Sequence, residues 1–206
     1  SPPQEEPAAE AEAPEQPEAE AKAEPKAEAP KKYRFPLIAF DELRPGTEHP
    51  LAAAQRQQII GHWHAVHRLT GQPFRFERAM PDGFIYDTEP ASRAVVAVSK
   101  LSPDATFAFF RAIQSAFYVE QRNVTQASVL SELAVHVGLE AQAFLDAFES
   151  QVARDITQSH FQKARQLGVH GFPTLIGQQG DSYALISSGY CSFEELNPKI
   201  WQWSDA

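Results

Sequence analysis

Cysteine is almost missing from this chain: its 206 residues contain one, Cys191. A single thiol cannot close an intramolecular disulfide or build a zinc site of the repeated-cysteine type, so the fold does not rest on a disulfide framework. Methionine is as scarce, with Met80 alone. Long apolar runs are absent too. None approaches the roughly 18 residues of a membrane span, and no basic start leads into an apolar stretch as in a signal peptide. The chain is therefore expected to be soluble, and cytoplasmic. Positive charge is in deficit, with 18 Lys and Arg against 27 Asp and Glu, the reverse of a nucleic-acid footprint. Neither nucleic acid nor a membrane is an expected partner.

The shortages are unevenly spread. Residues 1–32 consist of nine Glu, nine Ala, seven Pro, four Lys, two Gln and one Ser, without one aromatic or branched aliphatic residue. Such a segment has nothing to bury, and its prolines interrupt the helix that Ala and Glu favour. It is expected to be a disordered, acidic linker that acts as a spacer or a tethering arm. From Tyr33 on, the chain carries every aromatic residue and enough apolar side chains for one core. The expected organisation is a linker over 1–32 and one domain over 33–206.

Within that domain, YRFPLIAF from Tyr33 to Phe40 reads as a short strand whose Pro36 sits at an edge or bulge. Ile59, Ile60, Trp63, Val66 and Leu69 recur at helical spacing before the stop Gly71, Pro73. Asp87-Thr88-Glu89-Pro90 is a helix start, followed by Ala94, Val95, Val98 and Leu101 on one face. Ser102-Pro103 repeats that signal ahead of Phe107, Phe110, Ile113 and Phe117. Further helices are expected around Val129, Leu130, Leu133 and Val137, around Phe144, Leu145 and Phe148, and around Val152, Ile156, Phe161 and Leu167. The pattern then changes. Thr174-Leu175-Ile176 and Tyr183–Ile186 are short β-rich runs separated by Gly177–Asp181, a hairpin signature, and a last helix runs from Ser192 through Leu196 towards Trp201.

The order strand, helices, strand, strand, helix, together with GVHGFPT at 168–174, resembles the C-terminal part of a thioredoxin fold with a helical insertion. Further blocks carry the likeness: ELRPGTEHPL (42–51), GHWHAVHRLTGQPF (61–74), GFIYDTEPASRAVVA (83–97) and AFYVEQRNVT (116–125). Together they resemble the DsbA-like family in its FrnE-like branch. The resemblance implies an α/β, thioredoxin-like (DsbA-type) fold with a large helical insertion over about 50–167. It also implies a role in thiol–disulfide exchange, without a cofactor. Pro173 matches the family's cis-proline, in a loop that faces the redox site, so Phe172, Pro173 and Thr174 are the expected peptide-binding residues. A cis X-Pro bond would turn the backbone before it outward, where an extended peptide can pair with it.

The departure from the family is as informative. In relatives, a strand and a helix opening on CxxC precede the Tyr33 strand, and the helix N-terminus makes one thiol a nucleophile. Here that N-terminal βα unit is missing, the place is taken by the Ala/Glu/Pro segment, and no catalytic cysteine pair exists. A further cysteine that relatives carry in the TEPACRA block is Ser92 here. Three readings follow. The CxxC segment lies upstream of Ser1 or on another chain; or the domain is a redox-inactive relative that holds an extended peptide or protein; or it is a scaffold only. A sheet short of a strand is also expected to self-associate or to recruit a partner chain that completes it.

Cys191, at the entrance to the last helix, is a possible thiol of its own, although a small half-buried residue would read the same way. His62, His64 and His67 flank Trp63, but no acid or cysteine lies within a turn of them, so they read as solvated or hydrogen-bonded histidines rather than a metal site. Asp87 and Glu89 suit a helix start. Asn123-Val124-Thr125 reads as a loop leading to a Thr125 cap, and Tyr86, Phe117 and Tyr118 as core or as the wall of a peptide groove.

Overall fold

The structure, a computed structural model, describes residues 33–34 and 47–205. The expected linker and most of the expected first strand, residues 35–40, lie outside the described residues. The elements are β1 (Tyr33–Arg34), α1 (Ala53–Thr70), α2 (Glu89–Leu101), α3 (Thr106–Tyr118), α4 (Ala127–His136), α5 (Ala141–Glu149), α6 (Gln151–Gln166), β2 (Thr174–Gln179), β3 (Ser182–Ser188) and α7 (Phe193–Ser204).

α2 is the centre of the helical part. It packs against α3, α4, α5 and α6, and its residues Arg93 to Val98 are all buried. The sequence suggested one buried face; a run of small Ala and Val residues instead lets neighbours approach from several sides. Phe109, Ile113, Leu130, Leu133, Phe144 and Phe148 complete this core. On α3 and α6 the inward face is displaced from the expected one. Phe109 and Ala116 point inward while Phe107 is exposed, and Ala153, Thr157, Phe161 and Ala164 are buried while Val152 is exposed. α3 has apolar side chains nearly all round, so periodicity could not choose its face; on α6 the buried stripe is made largely of small residues, Ala153, Thr157 and Ala164, which hydropathy alone does not single out over Val152.

α1 lies apart, over a second, aromatic cluster built on Trp63, Met80 and Tyr86. Trp63 meets Tyr118 edge-on at 4.9 Å and Phe117 at 5.4 Å between ring centroids. The Arg75 N–H donates to the Tyr118 carbonyl at 2.9 Å and Leu51 N–H to Phe84 O at 2.9 Å, which tie the long aromatic loop to both ends of the cluster. Gly71 closes α1 in the left-handed region at φ 69°. Thr125 is not a cap. Asn123 Oδ1 accepts from Thr125 N–H and Oγ1, and Gln126 opens α4.

The sheet is antiparallel, in the order β1-β2-β3. β1 pairs Tyr33 with Gln179 and Arg34 with Gln178. The hairpin turn is shorter than the sequence suggests: Gln179 pairs with Ser182, so only Gly180 and Asp181 form the loop, with Gly180 at φ 59°. Gly177 lies inside β2, not in the turn. α7 packs on β3, and its start is a capping box in which Ser192 Oγ accepts Glu195 N–H at 3.3 Å while Glu195 Oε2 accepts Ser192 N–H at 2.9 Å.

Candidate functional site

The loop between α6 and β2 presents the expected peptide-facing residues. Gly168, at φ 71°, ends α6, and the chain then crosses Val169 to Pro173 before entering β2. The Phe172–Pro173 peptide bond is cis. The loop is fastened on both sides: Thr174 Oγ1 donates to Gly171 O at 2.6 Å, and Gly189 N–H donates to Pro173 O at 2.8 Å. Phe172 projects with 53% of its surface exposed, so a rigid loop carries an exposed ring. β1 pairs with β2 only at Gln178 and Gln179.

Thr174 pairs with Ser188 at the end of β3. The chain then passes Gly189, which holds Pro173, and reaches Cys191, so the fold brings Cys191 and the 172–174 loop to the same end of the sheet. The hairpin expected from the sequence implies this proximity, and the observed register makes it definite. Cys191 is half-buried, its Sγ 3.2 Å from Ser187 Oγ. It lines a shallow cavity of about 590 Å³ with Leu185, Ser187, Tyr190, Glu195 and Lys199. The cavity could not have been found from the sequence, because β3 and α7 each supply only part of its wall.

The remaining constellations are structural. His64 stacks on Phe76 with ring centroids 3.8 Å apart, and His67 Nδ1 lies 2.7 Å from Gln72 O. Among the described residues no group of three metal-capable side chains forms. Tyr86, Phe117 and Tyr118 belong to the aromatic core. Burial pushes the hydroxyls of Tyr86 and Tyr118 above the usual phenol range. Asp87 Oδ1 accepts the Glu89 N–H at 2.9 Å, and Glu89 pairs with Arg93, so both acids serve the start of α2.

The sequence matches the DSBA-like thioredoxin domain over residues 31–199. The chain belongs to that family. This DsbA-like protein is thus a member of a thiol–disulfide oxidoreductase family that carries one cysteine. A structure from Nitrosomonas europaea, provisionally assigned as a protein disulfide isomerase, is similar at 46% identity over 78% of this chain and 79% of its own, with a TM-score of 0.76. The cytosolic disulfide reductase DsbM from Pseudomonas aeruginosa is similar at 26% identity over 80% of both chains, TM-score 0.61. Its structure with GSH matches at 27% identity over 78% of both, TM-score 0.60. No curated protein matches the DsbA-like chain. Among the described residues no helix is long and apolar enough to cross a membrane.

Proposed function

We propose that this chain takes part in thiol–disulfide exchange as a substrate-holding domain that cannot perform dithiol chemistry by itself. The observation that carries the reading is the pairing of a DSBA-like thioredoxin domain over residues 31–199 with a single cysteine, Cys191. A dithiol oxidoreductase forms a mixed disulfide with one thiol and resolves it with a second. One thiol per chain supports only the first of these steps.

The holding surface is the Phe172–Pro173–Thr174 loop. An extended peptide or protein segment would pair with the backbone of that loop and pack an apolar side chain on Phe172. A partner chain that completes the sheet belongs to the same proposal. A cytoplasmic setting belongs to this proposal and is supported by the likeness to the cytosolic DsbM. The alternative function, a protein-binding scaffold tethered by the acidic residues 1–32, uses the same surface without any thiol step.

Titrating an unfolded, cysteine-containing peptide against the chain tests the holding surface. Phe172→Ala is expected to weaken binding about tenfold, the value of one well-buried aromatic contact. Equal affinities for the two proteins would refute the placement of the peptide on this loop.

A further inference from the structure

β3 is the outer strand of the sheet, and its far edge has no strand partner among the described residues. Native proteins blunt such edges with charge or proline. Ser182-Tyr183-Ala184-Leu185-Ile186-Ser187-Ser188 has neither. Leu185 on this strand is 65% exposed, and Tyr190, Phe193 and Trp201 add exposed apolar surface in the segment that follows. This edge is distinct from the Phe172 loop.

We propose that β3 pairs with β3 of a second copy of this chain, antiparallel about a two-fold axis at Ala184. The register follows from the hairpin. A two-residue loop closes on a hydrogen-bonded pair, here Gln179 and Ser182. The backbone groups of Ser182 and Ala184 are therefore spent on β2, while those of Tyr183 and Leu185 face outward. Opposing two copies at Ala184 sets Tyr183 of each against Leu185 of the other, and both pairs exchange their outward N–H and C=O groups. Each pair is also an aromatic–aliphatic cross-strand contact that covers the exposed leucine. The irregularity in the β2–β3 register falls beyond Leu185, between its partner Ile176 and Leu175, so the stretch Ser182–Leu185 used here is regular. The strand itself carries no charge; the cation nearest the axis is Lys163, which in each copy donates to the Tyr183 hydroxyl of its own chain and lies 4.5 Å from that ring's centre. A second copy satisfies the edge because the uncharged segment is its own complement.

The inference does not rest on the redox reading. Light scattering on the full chain under reducing conditions, which keep Cys191 from cross-linking, is expected to give a mass about twice the 22.9 kDa of one chain. Leu185→Lys is expected to return it to the monomer with the circular dichroism of the fold retained. In a Cys191→Ser background, Ala184→Cys is expected to form a disulfide dimer on oxidation, because residues facing at a non-hydrogen-bonded pair lie within disulfide reach. A monomeric parent chain at high protein concentration overturns the proposal and leaves the β3 edge to a different polypeptide. A dimer that survives Leu185→Lys overturns it as well, because association then uses another surface.

Discussion

The indole of Trp203 on α7 lies so close over Gly177 of β2 that a Cβ there would stand 2.5 Å from its Cε2 and Cζ2. No real Cβ tolerates that approach. Glycine is thus what allows the last helix to seat on the sheet that carries the 172–174 loop.

Gly177→Ala is therefore expected to lift α7 off β2 and to cost about 1–3 kcal/mol, the range for an overpacked site. Chemical denaturation measures the loss. The double variant Gly177→Ala, Trp203→Ala should recover the part of it due to the collision, whereas an additive loss would show that Trp203 is not the obstacle.

A second expectation concerns Arg93, a buried cation at the centre of the helical core. Its Nε donates to Glu89 Oε1 at 2.7 Å, its Nη1 to the Phe148 carbonyl at 2.8 Å, and its guanidinium lies 3.9 Å from the centre of the Phe148 ring. Removing it strands a carboxylate and a carbonyl together. Arg93→Ala should cost about 3 kcal/mol, as for a buried pair that loses one partner. Because Glu89→Gln, Arg93→Met leaves no unpaired charge, it should cost clearly less. Denaturant midpoints of the two variants decide the matter.

His160 on α6 sets an acid limit to stability. Its buried Nδ1 has no hydrogen-bond partner, and burial first, then Lys163 and Lys100, hold its pKa below the usual imidazole value. The folded chain thus favours the neutral ring. Above the unfolded value of about 6.5 both states are neutral and the contribution is whole. As the pH falls below it the unfolded chain takes up the proton first, so stability declines until the folded pKa is reached. His160→Gln is expected to flatten the decline in melting temperature across that acid window, and an unchanged slope would assign it to other groups.

Local signals made much of the fold legible. Gly71 ends α1, Pro90 opens α2, and the Ser192 box opens α7, because each acts within one turn of its own position. Gly177 was misplaced in the turn because its reason is Trp203, remote in sequence. The inward faces of α3 and α6 were displaced because Phe107 and Val152 look as apolar as the residues that are buried. At the site, the resemblance supplied Phe172, Pro173 and Thr174, while the cavity at Cys191 and its closeness to that loop depend on the pairing of Thr174 with Ser188. The sequence signals the hairpin but not this register, which is shifted by an irregularity between Leu175 and Ile176.

Phe172→Ala and the β3 variants address what the chain holds; its chemistry needs a different assay. The most direct measurement is reduction of insulin disulfides by the pre-reduced chain with no other thiol present, because an added thiol would itself resolve a mixed disulfide, followed by turbidity. No turbidity is expected, for the parent chain and for Cys191→Ser alike. Turbidity produced by the parent chain would contradict the claim that a DSBA-like domain with one thiol cannot complete the exchange.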